Sequence, residues 1–168
     1  TLSLHDALPI YGASDLKVVN NPYLTPDNGS LKVGEYKDPA GAGTEYAGIG
    51  IEFPAPIDLT LYNHLVLQVY APTANIPILF KLEGGQQVEI FDTLKTANTW
   101  YKFDIDFSSA LGKGNTKLVM FINVASAVGG GTYYIDNVKW QRAGYNGCVV
   151  DNQTPGLVEK WTYFANGS

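Results

Sequence analysis

Tyr133 to Trp140, Y-Y-I-D-N-V-K-W, is the stretch whose reading decides the fold. It alternates apolar and polar residues, is rich in β-formers and follows Gly129-Gly130-Gly131, which reads as a turn. A half-buried strand of this kind needs partners, and they lie upstream. Leu118 to Val124 is apolar on both faces, as a central strand requires. Trp100 to Phe107 places Tyr101, Phe103, Ile105 and Phe107 on one face and Lys102, Asp104 and Asp106 on the other. Gln87 to Phe91 joins Ile78 to Glu83 through a tight hairpin at Gly84-Gly85. In Ile78 to Glu83, Phe80 and Leu82 point one way, and Leu79, Lys81 and Glu83 the other. His64 to Tyr70 sets Leu65, Leu67 and Val69 against Val66, Gln68 and Tyr70.

Further upstream, Tyr46 to Phe53, Leu31 to Tyr36 and Asp15 to Val19 read as shorter strands. They are punctuated by Pro54 and Pro56, by Pro26-Asp27-Asn28-Gly29 and by Asn20-Asn21-Pro22. No stretch carries an apolar stripe at helical spacing for three turns. Turn signals about every ten residues predict an all-β, two-sheet antiparallel jelly-roll sandwich.

The composition agrees. A chain of 168 residues with 45% hydrophobic and 16% charged residues is long enough for one domain with a real core. Its 18 Gly and 9 Pro fit many turns, and its 11 Tyr fit strands and surfaces that need both an apolar face and a hydrogen bond. A net charge of −5 argues against nucleic acid and against an anionic membrane surface. No run has the length of a transmembrane helix, so no membrane insertion is expected. Cys148 is the single cysteine, so no disulfide forms within the chain.

Catalysis is not expected. Outside residues 1–10 the only histidine is His64, which excludes a histidine-based triad or a multi-histidine metal centre. No G-x-S-x-G, Walker-type loop or dinucleotide fingerprint occurs. Glu83 and Glu89 formally supply two carboxylates, but they flank a tight hairpin, a poor place for a glycosidase cleft.

Several motifs occur in a fixed order: Val18-Val19-Asn20-Asn21-Pro22, Leu31-Lys32-Val33-Gly34, Tyr46-Ala47-Gly48, Pro56-Ile57-Asp58-Leu59, Leu79 to Glu83, Trp100, and Tyr133 to Val138. Together, over about residues 11 to 140, they resemble the carbohydrate-binding-module-like jelly rolls (galactose-binding-like sandwiches) of secreted polysaccharide-degrading proteins, notably those of Bacteroidetes. The resemblance implies a secreted or cell-surface, non-catalytic module that binds a polysaccharide, a glucan or related glycan. It also implies a structural calcium ion.

Sugar recognition needs amide or charged groups for the hydroxyls beside an aromatic platform for the ring face. Tyr46, Gln68, Tyr70, Lys81, Glu83 and Asn123 are the expected surface, on one concave sheet face if their strands are neighbours. Trp100 is a further stacking candidate, although a tryptophan at a strand start more often closes a core. Trp140 and Trp161 read as packing residues. Asp136 shares a face with Tyr134 and Val138. As an inward-facing acid it needs a partner or a cation, and the resemblance makes it the calcium carboxylate.

The ends read differently. Residues 1–10, T-L-S-L-H-D-A-L-P-I, resemble a translated sequencing adapter and are set aside from fold reasoning. Residues 141 to 156 read as a linker. Residues 157 to 168, L-V-E-K-W-T-Y-F-A-N-G-S, resemble the family's opening strand, which normally precedes the position of Tyr11. As part of a tandem array, this tail either folds back into its own domain or complements a neighbouring copy; an unrelated extension is the third alternative. If it supplies the opening strand, Glu159 joins Asp136 at the ion. The competing functional reading is a structural, adhesin-like repeat that self-associates by strand complementation.

Overall fold

A computed structural model describes residues 16–124 and 129–144, together with the backbone of residues 8–10. Among these residues the chain forms ten strands: β1 (Leu8–Ile10), β2 (Lys17–Asn20), β3 (Lys32–Ala40), β4 (Gly48–Glu52), β5 (His64–Tyr70), β6 (Ile76–Glu83), β7 (Val88–Leu94), β8 (Trp100–Asp106), β9 (Lys117–Ile122) and β10 (Gly129–Gln141). One 3₁₀ turn, Ser108–Ala110, is the only helical element among them. The strands make two five-stranded antiparallel sheets: a front sheet in the order β1-β4-β9-β6-β7 and a back sheet in the order β2-β3-β10-β5-β8.

Period-two alternation builds the core. Ile78, Phe80 and Leu82 from β6, and Leu118, Met120 and Ile122 from β9, point inward from the front sheet. Leu65, Leu67 and Val69 from β5, and Phe103 and Ile105 from β8, point inward from the back sheet. The rings of Phe80 and Phe103 meet across the layers with centroids 5.3 Å apart. Burying each such side chain contributes about 1.5–3 kcal/mol. Trp140 is a packing residue, with its ring centroid 5.8 Å from that of Phe107 at one end of the sandwich. Among the described residues no helix is long and apolar enough to cross a membrane.

Three features differ from the sequence reading. Leu8–Ile10, set aside above as adapter-like, is a strand that pairs with Gly48 to Gly50 of β4. The three glycines do not form a turn but open β10, with Gly129 opposite Ala40 and Gly131 opposite Asp38. Their φ values of +52°, +83° and +140° suit glycine, and a Cβ on Gly129 would stand 2.6 Å from the Pro39 carbonyl oxygen. Finally, Asp136 and Val138 do not share a face. The β10–β5 register shifts between Asp136 and Lys139, where Asn137 takes the left-handed conformation at φ +55°. This bulge turns Val138 towards the main core and leaves Asp136 on the outer side of the back sheet, not inside the sandwich. Most of residues 1–10, most of the linker and all of 157–168 lie outside the described residues.

Candidate functional site

The outer face of the front sheet carries an apolar row and a charged ladder. Pairing of β7, β6 and β9 aligns Phe91 with Leu79 and Phe121, and aligns Glu89 with Lys81 and Val119. Leu79, Val119, Phe121 and Val124 form a buried apolar cluster separate from the main core. Gly48 on β4 leaves room for the Phe121 ring, since a Cβ there would lie 2.6 Å from the ring's Cδ1. Tyr46, just before β4, stands edge-on to Phe121 with centroids 6.3 Å apart. At the two ends of this row the aromatic rings are open: Phe91 is 64% exposed and Tyr46 59%.

Beside the apolar row, Lys81 Nζ sits 2.9 Å from Glu83 and 3.1 Å from Glu89. Lys117 Nζ lies 3.4 Å from Glu52 and 4.0 Å from the second oxygen of Glu83. The sequence Glu89–Lys81–Glu83–Lys117–Glu52 therefore alternates in sign across four strands. Burial alone would lower the pKa of Lys81, but the hydrogen bonds and charges of Glu83 and Glu89 outweigh it and hold the ammonium above its ordinary value. The exposed rings of Phe91 and Tyr46 are free for stacking, and the ladder beside them holds fixed acceptors and donors for hydroxyls.

Of the residues expected on one surface, Lys81, Glu83 and Tyr46 lie on or beside this face. Gln68, Tyr70 and Trp100 do not: they lie on the outer side of the back sheet, beneath the 21–31 segment. Tyr70 stacks under Tyr23 with centroids 3.8 Å apart, and Trp100 Nε1 donates to the Tyr23 carbonyl at 2.8 Å. Gln68 Nε2 donates to the Asp27 carbonyl at 3.0 Å. Asn123 lies just beyond β9, where its Nδ2 donates to Asp38 Oδ2 at 3.3 Å. The common surface fails because β5 and β6, though consecutive, belong to opposite sheets, so their outward faces point in opposite directions. Phe91, Glu89, Lys117, Glu52 and Phe121 were missed. The signal for the first two was present: Phe91 shares strand parity with Glu89 and alternates with Val88 and Ile90.

On the back sheet a polar knot surrounds Asp136, which is 1% exposed. Asn28 Nδ2 donates to Asp136 Oδ2 at 2.8 Å and to Gln68 Oε1 at 3.1 Å, and Asn137 Nδ2 donates to Gln68 Oε1 at 2.6 Å. Asp136 Oδ1 is buried without a hydrogen-bond partner. A buried carboxylate oxygen in that state is costly, and an oxygen-seeking cation would satisfy it. Asp136 Oδ1 is an open oxygen of the type a calcium ion takes, whereas Gln68 Oε1 already accepts from Asn28 and Asn137, and the Asp27 carbonyl from Gln68. Among the described residues no cluster of three or more His, Cys, Asp or Glu side chains is arranged for a metal, and Glu159 lies outside them.

At the end of the sandwich, Asp38 accepts from Tyr36 Oη at 3.2 Å as well as from Asn123. Burial raises the Asp38 pKa despite these bonds. Burial first, and then the Asp38 charge, push Tyr133 up to about 12, and Tyr36 is raised further.

No protein-family model matches this chain, and no curated protein sequence does. Solved structures do match. The fold is similar to that of the family 11 carbohydrate-binding module from Clostridium thermocellum in complex with a β-1,3-1,4-mixed-linked tetrasaccharide, at 16% identity and a TM-score of 0.56 over 82% of this chain and 88% of that one. It is also similar to a CBM4 structure, at 14% identity and a TM-score of 0.52 over 82% of this chain and 95% of that one. A third match is TmCBM61 in complex with β-1,4-galactotriose, at 14% identity and a TM-score of 0.50 over 83% of this chain and 90% of that one. At these identities the likeness is one of fold: the structural neighbours are carbohydrate-binding modules of the β-sandwich type.

Proposed function

We propose that this chain is a non-catalytic carbohydrate-binding module of a secreted or cell-surface protein, and that it binds polysaccharide, a glucan or related glycan, on the outer face of the front sheet. The observation that carries this reading is Phe91, an open aromatic ring on β7, aligned with Leu79 and Phe121 and flanked by the Lys81–Glu89 pair. Aromatic faces stack on sugar rings, and adjacent charged groups hydrogen-bond their hydroxyls. Tyr46 at the far end of the row offers a second platform. The oligosaccharides held by the family 11 and TmCBM61 structures support the same class of ligand. Tethering would raise the local concentration of substrate around a linked enzyme.

Affinity electrophoresis through soluble glucans, mannans and galactans tests this. Retardation is expected on at least one of them, and it should be lost in Phe91→Ala. No retardation on any of them overturns the reading.

Calcium belongs to the same proposal, as a structural ion held at the open Asp136 Oδ1. The ion would supply the positive charge that Asp136 Oδ1 lacks. Thermal melting with and without calcium is the check: wild type should gain stability and Asp136→Asn should not. Equal melting of wild type in calcium and in chelator removes the ion from the account.

A further inference from the structure

We propose that the Glu89–Lys81–Glu83–Lys117–Glu52 ladder makes the front face selective for uncharged glycans over uronate-bearing ones, and that Glu83 is the residue that sets this preference. The inference rests on the binding reading above and names its ligand class.

Both lysines of the ladder are already engaged. Lys81 lies between two carboxylates at 2.9 and 3.1 Å, and Lys117 lies between Glu52 at 3.4 Å and Glu83 at 4.0 Å. Three carboxylates against two ammonium groups leave the ladder one negative charge in excess, on a chain whose formal net charge is −5. A sugar carboxylate on a ring stacked against the exposed Phe91, beside Glu89 and Lys81, would meet no uncommitted ammonium in the ladder. It would also sit within a Debye length, about 8 Å at physiological salt, of like charges. A neutral hydroxyl meets the opposite situation: fixed carboxylate acceptors whose orientation the lysines hold. Glu83 is the hinge of this arrangement because its two oxygens serve different lysines. Removing its charge releases part of both cations at once, whereas loss of Glu89 or Glu52 releases part of one, and loss of an acid outside the ladder changes only the net charge.

The experiment is affinity electrophoresis at low ionic strength on a matched panel: mixed-linked β-glucan and β-1,4-galactan as neutral probes, polygalacturonate as the anionic one. Wild type should be retarded by a neutral probe and run unretarded in polygalacturonate. Glu83→Gln should gain retardation in polygalacturonate, and adding salt to about 1 M, where the Debye length falls to about 3 Å, should abolish that gain. Asp104→Asn makes the same charge change on the outer face of the back sheet, and it should behave as wild type. Should Glu83→Gln fail to fold, Glu89→Gln at the front sheet's edge strand frees Lys81 on one side and should show a gain that is smaller than full release of both lysines would give. Wild type retarded by polygalacturonate as strongly as by the neutral probes overturns the selectivity while leaving the binding reading intact. So does a Glu83→Gln variant that behaves like Asp104→Asn. No retardation of wild type on any probe overturns both.

Discussion

Asp38 on β3 accepts a hydrogen bond from Asn123 just beyond β9, and so ties the back sheet to the front sheet at one end of the sandwich. The tie is made by a carboxylate that burial holds above its ordinary pKa. A group whose folded pKa is raised favours the fold when protonated. Its contribution is fully present below the unfolded pKa and is lost as pH rises through the folded value. Urea unfolding should therefore show a component that weakens from about pH 4 upward. Asp38→Asn should lack that component and should be the more stable protein at pH 7. A variant that is less stable than wild type at pH 7, with the same pH dependence, would show that the ionised pin is favourable.

Phe91→Ala separates binding from folding. The ring is 64% exposed, so unfolding free energy should change by no more than about 0.5 kcal/mol. Loss of a stacking platform should weaken glycan affinity about tenfold, equivalent to about 1.4 kcal/mol. Paired urea titration and affinity electrophoresis read both quantities, and unchanged retardation would remove Phe91 from the site.

Phe80→Ala should do the reverse. This fully buried ring meets Phe103 between the sheets, and truncating it should lower stability by about 3–5 kcal/mol, read as the shift in urea midpoint. A loss below about 1 kcal/mol would mean that the core collapses to fill the gap.

Asn137 does two things at the bulge, and two substitutions separate them. Asn137→Gly keeps the left-handed backbone but loses the 2.6 Å bond to Gln68, a loss of about 1 kcal/mol. Asn137→Ala adds left-handed strain of about 1–2 kcal/mol. The expected order of denaturation midpoints is wild type, then glycine, then alanine. Alanine equal to glycine would show that the bulge relaxes.

Much of the fold was legible because alternation is local. Leu65, Leu67 and Val69 against Gln68 and Tyr70 sort one strand into two faces whatever it packs on. Asp136 was the exception on β10: one αL residue, Asn137, breaks the alternation at the shift of register between β10 and β5. Tyr70 was read as a surface residue, and Trp100 as a stacking candidate of a type that more often closes a core. Their outward direction is correct, but the 21–31 segment returns over them, and Tyr23 caps both.

From its residues alone the chain specified an all-β sandwich, most of its strands and, away from the β10 bulge, which of their side chains face the core, because those follow from a two-residue period and from turn chemistry. Only the tertiary structure decided which outward faces lie together. The crossover between β5 and β6 changes sheets, and nothing in the alternation of either strand encodes that change. Lys81 and Glu83 therefore join Phe91, Glu89 and Lys117 rather than Gln68 and Tyr70, because long-range pairing, not local pattern, sets which strands become neighbours.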